Sequence, residues 1–290
     1  MKQMVSILTL TLALVLGACN FPLLGTEGPT SIPESVSPEV VETAAPPTRP
    51  VSQPAPVDTE VSLPTQRPLR GSEEAIAIFE PGPGSRLTSP ARVAGMADPT
   101  FEQGLSIRIV LDDGTVLTQT VTMIKAEWGV RGPYEVEVPF EIQGQRNALI
   151  QVYDVSARDG GIIHLNSVGV TLMEGGEVEV REVSPRTEAI IIEQPAMGDR
   201  ISGGVVHVEG IGIASFEGTL VVEVYDAVGN KVGQQSLIVA APEMGQPGPF
   251  SVDVSYEVQE EGPGRIVVVD PLPAFDGIGH IVSVEVILSP

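Results

Sequence analysis

The 290-residue chain holds one cysteine, one tryptophan and three histidines, and only 4% of it is aromatic. A single thiol excludes a disulfide within the chain. Sparse aromatics weigh against a glycan platform built from stacked rings. Basic residues are scarce too: 16 Lys and Arg stand against 38 Asp and Glu, a net charge of −22. That balance argues against nucleic acid, whose phosphates call for Lys and Arg, and against lying flat on an anionic membrane surface. Long stretches of helical periodicity are missing. The one apolar run, Met4 to Leu16, is shorter than the roughly 20 residues needed to span a bilayer comfortably.

That run has a different use. MKQMVSILTLTLALVLGA opens with Lys2, continues with the apolar stretch and ends on the small residues Gly17 and Ala18. This is the layout of a secretory signal. Cys19 follows at once, and Leu16-Gly17-Ala18-Cys19 resembles the lipobox of bacterial lipoproteins. In that family a diacylglycerol is attached to the cysteine sulfur and cleavage leaves the cysteine first. The resemblance implies a signal peptide over 1–18, lipid attachment at Cys19 and a chain held on the extracytoplasmic face of a cell membrane. Acyl chains contribute about 0.8 kcal/mol per buried CH₂, so two or more hold firmly where one does not. Removing residues 1–18 removes Lys2 alone and takes the net charge from −22 to −23.

Residues 19–74 read as a tether. Eleven of the 26 prolines lie between Asn20 and Glu74, among many Ser, Thr and Glu, and no aromatic residue stands between Phe21 and Phe79. Such a segment buries too little apolar surface to offset its ordering entropy. Proline-rich chain extends by about 3.1 Å per residue, which sets a reach of roughly 160 Å.

Beyond the tether the chain repeats itself. Ala75-Ile76-Ala77-Ile78 with Pro81 corresponds to Ala189-Ile190-Ile191-Ile192 with Pro195. Val93-Ala94-Gly95 corresponds to Val208-Glu209-Gly210, Phe101-Glu102 to Phe216-Glu217, and Gly132-Pro133-Tyr134 to Gly248-Pro249-Phe250. Asp159-Gly160, His164 and Ser167-Val168 correspond to Asp276-Gly277, His280 and Ser283-Val284. The order is kept over about 100 residues, so two tandem copies are expected: 75–173 and 189–290, joined by a charged connector over 174–188. Segments such as LSIRIVL, YEVEVPF, LVVEVYD and FSVDVSY alternate apolar and polar residues or are rich in β-branched ones. Asp112-Asp113-Gly114 and Val228-Gly229-Asn230 suit hairpin turns. About seven short strands per copy predict an all-β fold, two immunoglobulin-like sandwiches packed by aliphatic side chains.

The apolar strand with its Pro and Gly, the V-x-G step, the Phe-Glu pair, the Gly-Pro-aromatic strand entry and the late Asp-Gly before a V-x-V-x-L strand resemble a bacterial immunoglobulin-like module. That module is found near sporulation and germination domains in surface proteins and lipoproteins. The resemblance covers 75–173 and 189–288. It implies an extracytoplasmic sandwich without a defined catalytic centre.

Candidate chemistry is thin. His164 and His280 hold equivalent places in different copies, and no paired-ligand spacing accompanies them or His207. Zinc needs three or four ligands brought together, so no metal site or cofactor is expected. Histidines at the start of the last strand are the simpler reading, with a site shared across an interface as the alternative. Asp159, His164 and Ser156 or Ser167 can be written as a hydrolytic set, but such sets are defined by geometry, and Pro273 replaces Ser156 in the second copy. No Gly-x-Ser-x-Gly elbow appears, and PGPG at 81–84 lacks the Lys of a phosphate loop. Asp159 and Asp276 read as turn formers rather than calcium ligands. Trp128, in a connecting loop, is the candidate contact for a protein or glycan partner, while Tyr153 and Tyr225 fall in strands as packing residues. The expected role is a non-catalytic binding or spacer module, with glycan binding as the alternative.

The lipid reading has a direct test. Protein recovered from membranes is expected to begin at Cys19 with the sulfur acylated, which mass spectrometry of the N-terminal peptide detects. An unmodified chain starting elsewhere overturns it.

Overall fold

The computed structural model describes residues 73–184 and 186–290. Cys19, the signal segment and nearly all of the tether lie outside the described residues. The first copy contributes β1 (Ile76–Glu80), β2 (Arg86–Leu87), β3 (Ala91–Ala97), β4 (Gly104–Leu111), β5 (Val116–Met123), β6 (Gly132–Val138), β7 (Gln145–Val155) and β8 (Ile162–Met173). The second contributes β9 (Ile190–Gln194), β10 (Arg200–Ile201), β11 (Val205–Gly212), β12 (Thr219–Tyr225), β13 (Lys231–Ile238), β14 (Gly248–Ser255), β15 (Gly262–Leu272) and β16 (Gly277–Leu288). No helix among the described residues is long and apolar enough to cross a membrane.

In each copy a three-stranded sheet packs on a four-stranded one. The small sheets run β1-β3-β6 and β9-β11-β14. The larger sheets merge into one, ordered β13-β12-β15-β16-β8-β7-β4-β5, with β2 and β10 at the sides of β8 and β16. Alternation sets the cores. Leu105, Ile107 and Ile109 of β4 point inward against Val93, Tyr134, Ile150 and Val152. Leu220, Val222 and Val224 of β12 face Val208, Phe250, Ile266 and Val268 in the same way. The expected Asp112–Gly114 and Val228–Asn230 turns connect β4 to β5 and β12 to β13.

The V-x-G step has a steric cause. A Cβ on Gly95 would lie 1.9 Å from the Ala77 carbonyl oxygen and 2.7 Å from the Tyr134 hydroxyl; one on Gly210 would lie 2.0 Å from the Ile191 oxygen and 2.8 Å from Phe250 Cζ. Each glycine sits beside an irregularity in the pairing of its strand with β1 or β9. The aromatic ring from β6 or β14 fills the space that a side chain would need.

The sandwiches meet through equivalent strands. His280, Ile281 and Val282 of β16 pair antiparallel with Asn166, Leu165 and His164 of β8. Leu165 and Ile281 correspond between the copies, so a local two-fold axis passes between them. On the outer face of the joined sheet Tyr153, Leu165, Val267, Val269 and Ile281 form a third apolar cluster, separate from either core. Fully burying one such side chain stabilises by roughly 1.5–3 kcal/mol, against about 1 kcal/mol net per hydrogen bond. The outer-face row therefore outweighs the three-residue ladder. β7 and β15 are covered on both faces for this reason, which is why ALIQV and RIVVV do not alternate.

The start of the folded part differs from the sequence expectation, and the connector has a defined course. Glu73 and Glu74, placed at the end of the tether, belong to the folded part: Glu73 bridges to Thr187, and the Glu74 N–H donates to the Arg186 carbonyl at 3.0 Å. The 174–188 connector runs back along the first sandwich, with Glu179 and Arg86 exchanging backbone bonds and the Val183 N–H donating to Phe79 at 2.9 Å. It satisfies backbone groups that a bare sheet edge would leave open.

Gly95→Ala and Gly210→Ala are each expected to destabilise the protein by more than about 2 kcal/mol, since backbone and a packed ring must both move. Gly169→Ala, where a Cβ meets nothing within 4 Å, is the near-neutral control. Urea-unfolding midpoints measure all three.

Candidate functional site

Four ionisable side chains converge where the two cores meet on the inner face of the joined sheet. His164 and His280 come from the start of β8 and β16. Glu74 and Glu188 stand just ahead of β1 and β9. The ring centroids lie 5.2 Å apart at 87°. His280 Nε2 is 2.6 Å from Glu188 Oε1, and His164 Nε2 is 3.2 Å from Glu74 Oε1. The crossed distances are 3.6 Å for His280 to Glu74 and 3.8 Å for His164 to Glu188. Glu74, Glu188 and His280 are buried and His164 is partly so.

The local two-fold relation orders the surroundings. The Ala75 N–H donates to Glu188 Oε2 at 2.9 Å, and the Ala189 N–H donates to the Glu74 carboxylate. Each glutamate is thus anchored by the backbone of the other copy. Ser167 Oγ donates to the Gly279 carbonyl at 2.8 Å, and its counterpart Ser283 donates to Ile163 at 2.7 Å. Asp154 lies directly across the strand pair from His164, and Asp270 from His280. A cleft of about 550 Å³ opens beside the cluster, lined by Glu74, Asn166, Ser215, Asp270 and His280 among others.

Burial governs the electrostatics. It pushes the Glu74 carboxyl up to about 8; the His280 charge opposes the rise and the neighbouring Glu188 adds to it. Burial works the same way on Glu188, but the His280 hydrogen bond and both imidazoles outweigh it and hold that carboxyl below its ordinary value. Burial also depresses His164, against the pull of Glu188 and Asp154. Asp154, itself half-buried, is raised to about 6 by burial. The arrangement offers two imidazole nitrogens and two carboxylate oxygens, all within 4.8 Å of one another.

A second polar group crosses the interface on the outer face. The Arg265 guanidinium, 1% exposed, donates to Asp159 Oδ1 at 3.1 Å and lies 5.6 Å from the Tyr225 ring centroid. Arg158 reaches Glu285 at 2.6 Å. Burial alone would raise Asp159, yet the Gly161 N–H and the two arginines hold it at about 2. The two-fold counterpart of Arg265 is Leu149, which packs under Gly277.

The residues singled out from the sequence fall in different places. His164 and His280 come together across the interface, in different copies and at the start of their last strands. His207 lies apart on β11, where Asp253, 2.6 Å away, raises its pKa. The Asp159, His164 and serine set does not assemble: Asp159 is bound to arginines, His164 to glutamates, Ser167 to a carbonyl, and Ser156 accepts from the Arg158 N–H. Asp276 ends a short 3₁₀ turn, as a turn former does. Tyr153 and Tyr225 pack in or against the interface cluster. Trp128 is 73% exposed in the loop between β5 and β6, as is Met244, at 78%, in the matching loop of the second copy. Gln103 donates to the Ala126 and Glu127 carbonyls and ties the Trp128 loop to the turn that carries exposed Phe101. Glu74 and Glu188 were hidden from sequence reasoning because they fell in the tether and the connector. The signal was there in the repeat itself, since Glu-Ala-Ile opens both copies.

Asp159→Asn is expected to cost about 3 kcal/mol at neutral pH by leaving a buried guanidinium short of its partner. The carboxyl is depressed, so its stabilisation is present above about pH 4 and is lost as pH falls through about 2. The gap between variant and parent in urea unfolding should therefore shrink on acidification.

A family model described as the immunoglobulin-like domain of bacterial spore germination matches residues 75–161 and again 189–273. No curated protein matches the chain. Among solved structures, dimeric latent PorU from Porphyromonas gingivalis is 12% identical, with 75% of this chain covering 20% of that one at a TM-score of 0.27. The titin domains z1z2 in complex with telethonin are 13% identical, at 75% and 97% coverage and a TM-score of 0.18. CfaE, the adhesive subunit of a fimbria of enterotoxigenic Escherichia coli, is 10% identical, at 74% and 83% coverage and a TM-score of 0.20. Scores this low express a loose likeness between chains. The family model matches twice, over the two copies read from the repeat, and the chain belongs to the family of immunoglobulin-like domains of bacterial spore germination.

Proposed function

We propose that this chain is a lipid-anchored extracytoplasmic protein whose paired sandwiches act as a non-catalytic binding or spacer module. The observation that carries the reading is the pairing of β8 with β16, which makes the tandem domains one compact unit. A joined body of this kind presents loops in a fixed relation, as a spacer or a two-domain binding face requires. The Leu16–Cys19 pattern supplies the fastening and the proline-rich tether the distance from the membrane. The membrane partner is engaged through the lipid on Cys19, and the extended surface meets an extracytoplasmic protein.

A second reading, glycan binding, is favoured by one observation, the exposure of Trp128 beside the Phe101 turn. Aromatic side chains are frequent anchors of recognition, but a sugar platform normally gathers several.

Cell fractionation tests the first reading. The full chain is expected in the membrane fraction and Cys19→Ser in the released fraction, with neither retained on purified peptidoglycan or surface polysaccharide. Release of the unaltered chain would sink the anchor. Retention on a glycan that Trp128→Ala abolishes would replace the first reading with the second.

A further inference from the structure

We propose that Glu74, His164, Glu188 and His280 bind one Zn²⁺, a structural metal that fastens the two sandwiches together. The donor set suits it: Zn²⁺ takes imidazole nitrogen at about 2.0–2.1 Å and carboxylate oxygen at about 2.0–2.2 Å, usually four in a tetrahedron. Ligand atoms in such a tetrahedron stand roughly 3.3 Å apart. The four nitrogen–oxygen separations here, 2.6, 3.2, 3.6 and 3.8 Å, straddle that value. All four ligand atoms lie within 4.8 Å of one another, so closing on one ion calls for shifts of about an ångström in side chains.

Charge points the same way. Two carboxyl groups and two imidazoles packed together away from water are a costly arrangement without a counter-ion for the ionised form. A divalent cation neutralises both carboxylates at once. The outer shell is prepared as well. Ligating carboxylates are normally hydrogen-bonded, and ligating histidines are normally backed by a carboxylate or carbonyl. Here each glutamate accepts a backbone N–H from the opposite copy, and Asp154 and Asp270, held by the Val155 N–H and by Ser215, stand across the strand pair from the two histidines as nearby charges. The neighbouring cleft, which Glu74 and His280 line, gives the ion a way in.

Four protein ligands close the coordination sphere, which marks a structural rather than a catalytic site. Each copy supplies one glutamate and one histidine, so neither copy can hold the ion alone.

The test uses the full chain carrying Cys19→Ser, which removes its one thiol. The metal-free protein is loaded with Zn²⁺ or Co²⁺, freed of excess by gel filtration and assayed for metal, visible absorption and thermal unfolding. The expected result is one Zn²⁺ per chain, an intense tetrahedral Co²⁺ spectrum and a melting temperature raised by Zn²⁺. His280→Gln and Glu188→Gln should weaken binding by more than about 100-fold. No retained metal, a weak octahedral Co²⁺ spectrum, or undiminished binding in folded ligand variants would overturn the proposal. Should the ligand variants fail to fold by circular dichroism, the Co²⁺ spectrum of the parent decides alone.

Discussion

The pairing of β8 with β16 is the constraint from which the rest of the structure follows. It brings one strand from each copy together about Leu165 and Ile281, so whatever one copy sets beside the axis the other sets opposite. The reciprocal serine bonds, the exchanged backbone anchors of Glu74 and Glu188, and the facing histidines all follow from this relation. A tandem repeat joined at random would place single histidines on two separate surfaces. Joined about a two-fold axis, it concentrates them in one place.

The two faces of the seam divide the labour. The outer face has an apolar centre, Tyr153, Leu165, Val267, Val269 and Ile281, which supplies most of the adhesion, with the Arg265–Asp159 pair at its side. The inner face is polar and lies between two well-packed cores, where it contributes little adhesion of its own. Buried polar groups are costly unless satisfied, so their presence at this point calls for a role that apolar residues cannot fill. Satisfying them through the opposite copy makes the cluster depend on the domains being docked.

Much of the fold was legible because alternation and repeat order are local signals. Leu105, Ile107 and Ile109 announce a half-buried strand without reference to anything distant. The seam was less legible. ALIQV and RIVVV read as strands, yet their lack of alternation also meant a second buried face, and only the partner copy explains that face. The site divides in the same way. Its histidines stood out by residue type and equivalence, but two glutamates in segments of loop composition look like solvated charges until the chain closes over them. The folded part begins two residues earlier than composition suggests for that reason: composition near Glu73 and Glu74 is that of the tether, and their backbone pairing and the burial of Glu74 are imposed from 112 or more residues away, through Arg186, Thr187 and Glu188.

Departures from symmetry complete the logic of the seam. Arg265 faces Asp159 on one side of the axis, and on the other Leu149 packs under Gly277. A perfectly repeated interface would let any copy pair with any other, including copies from neighbouring chains. The divergence discriminates among these. Two first copies would set Asp159 against Leu149 and bury a carboxylate without its guanidinium. Two second copies would force an arginine into the space that Leu149 occupies beside Gly277. Only the first copy against the second satisfies both sides, and the short connector keeps that partner at high effective concentration. Specificity here comes from what the wrong pairings would leave unsatisfied, and it directs the tandem domains to close on each other within one chain.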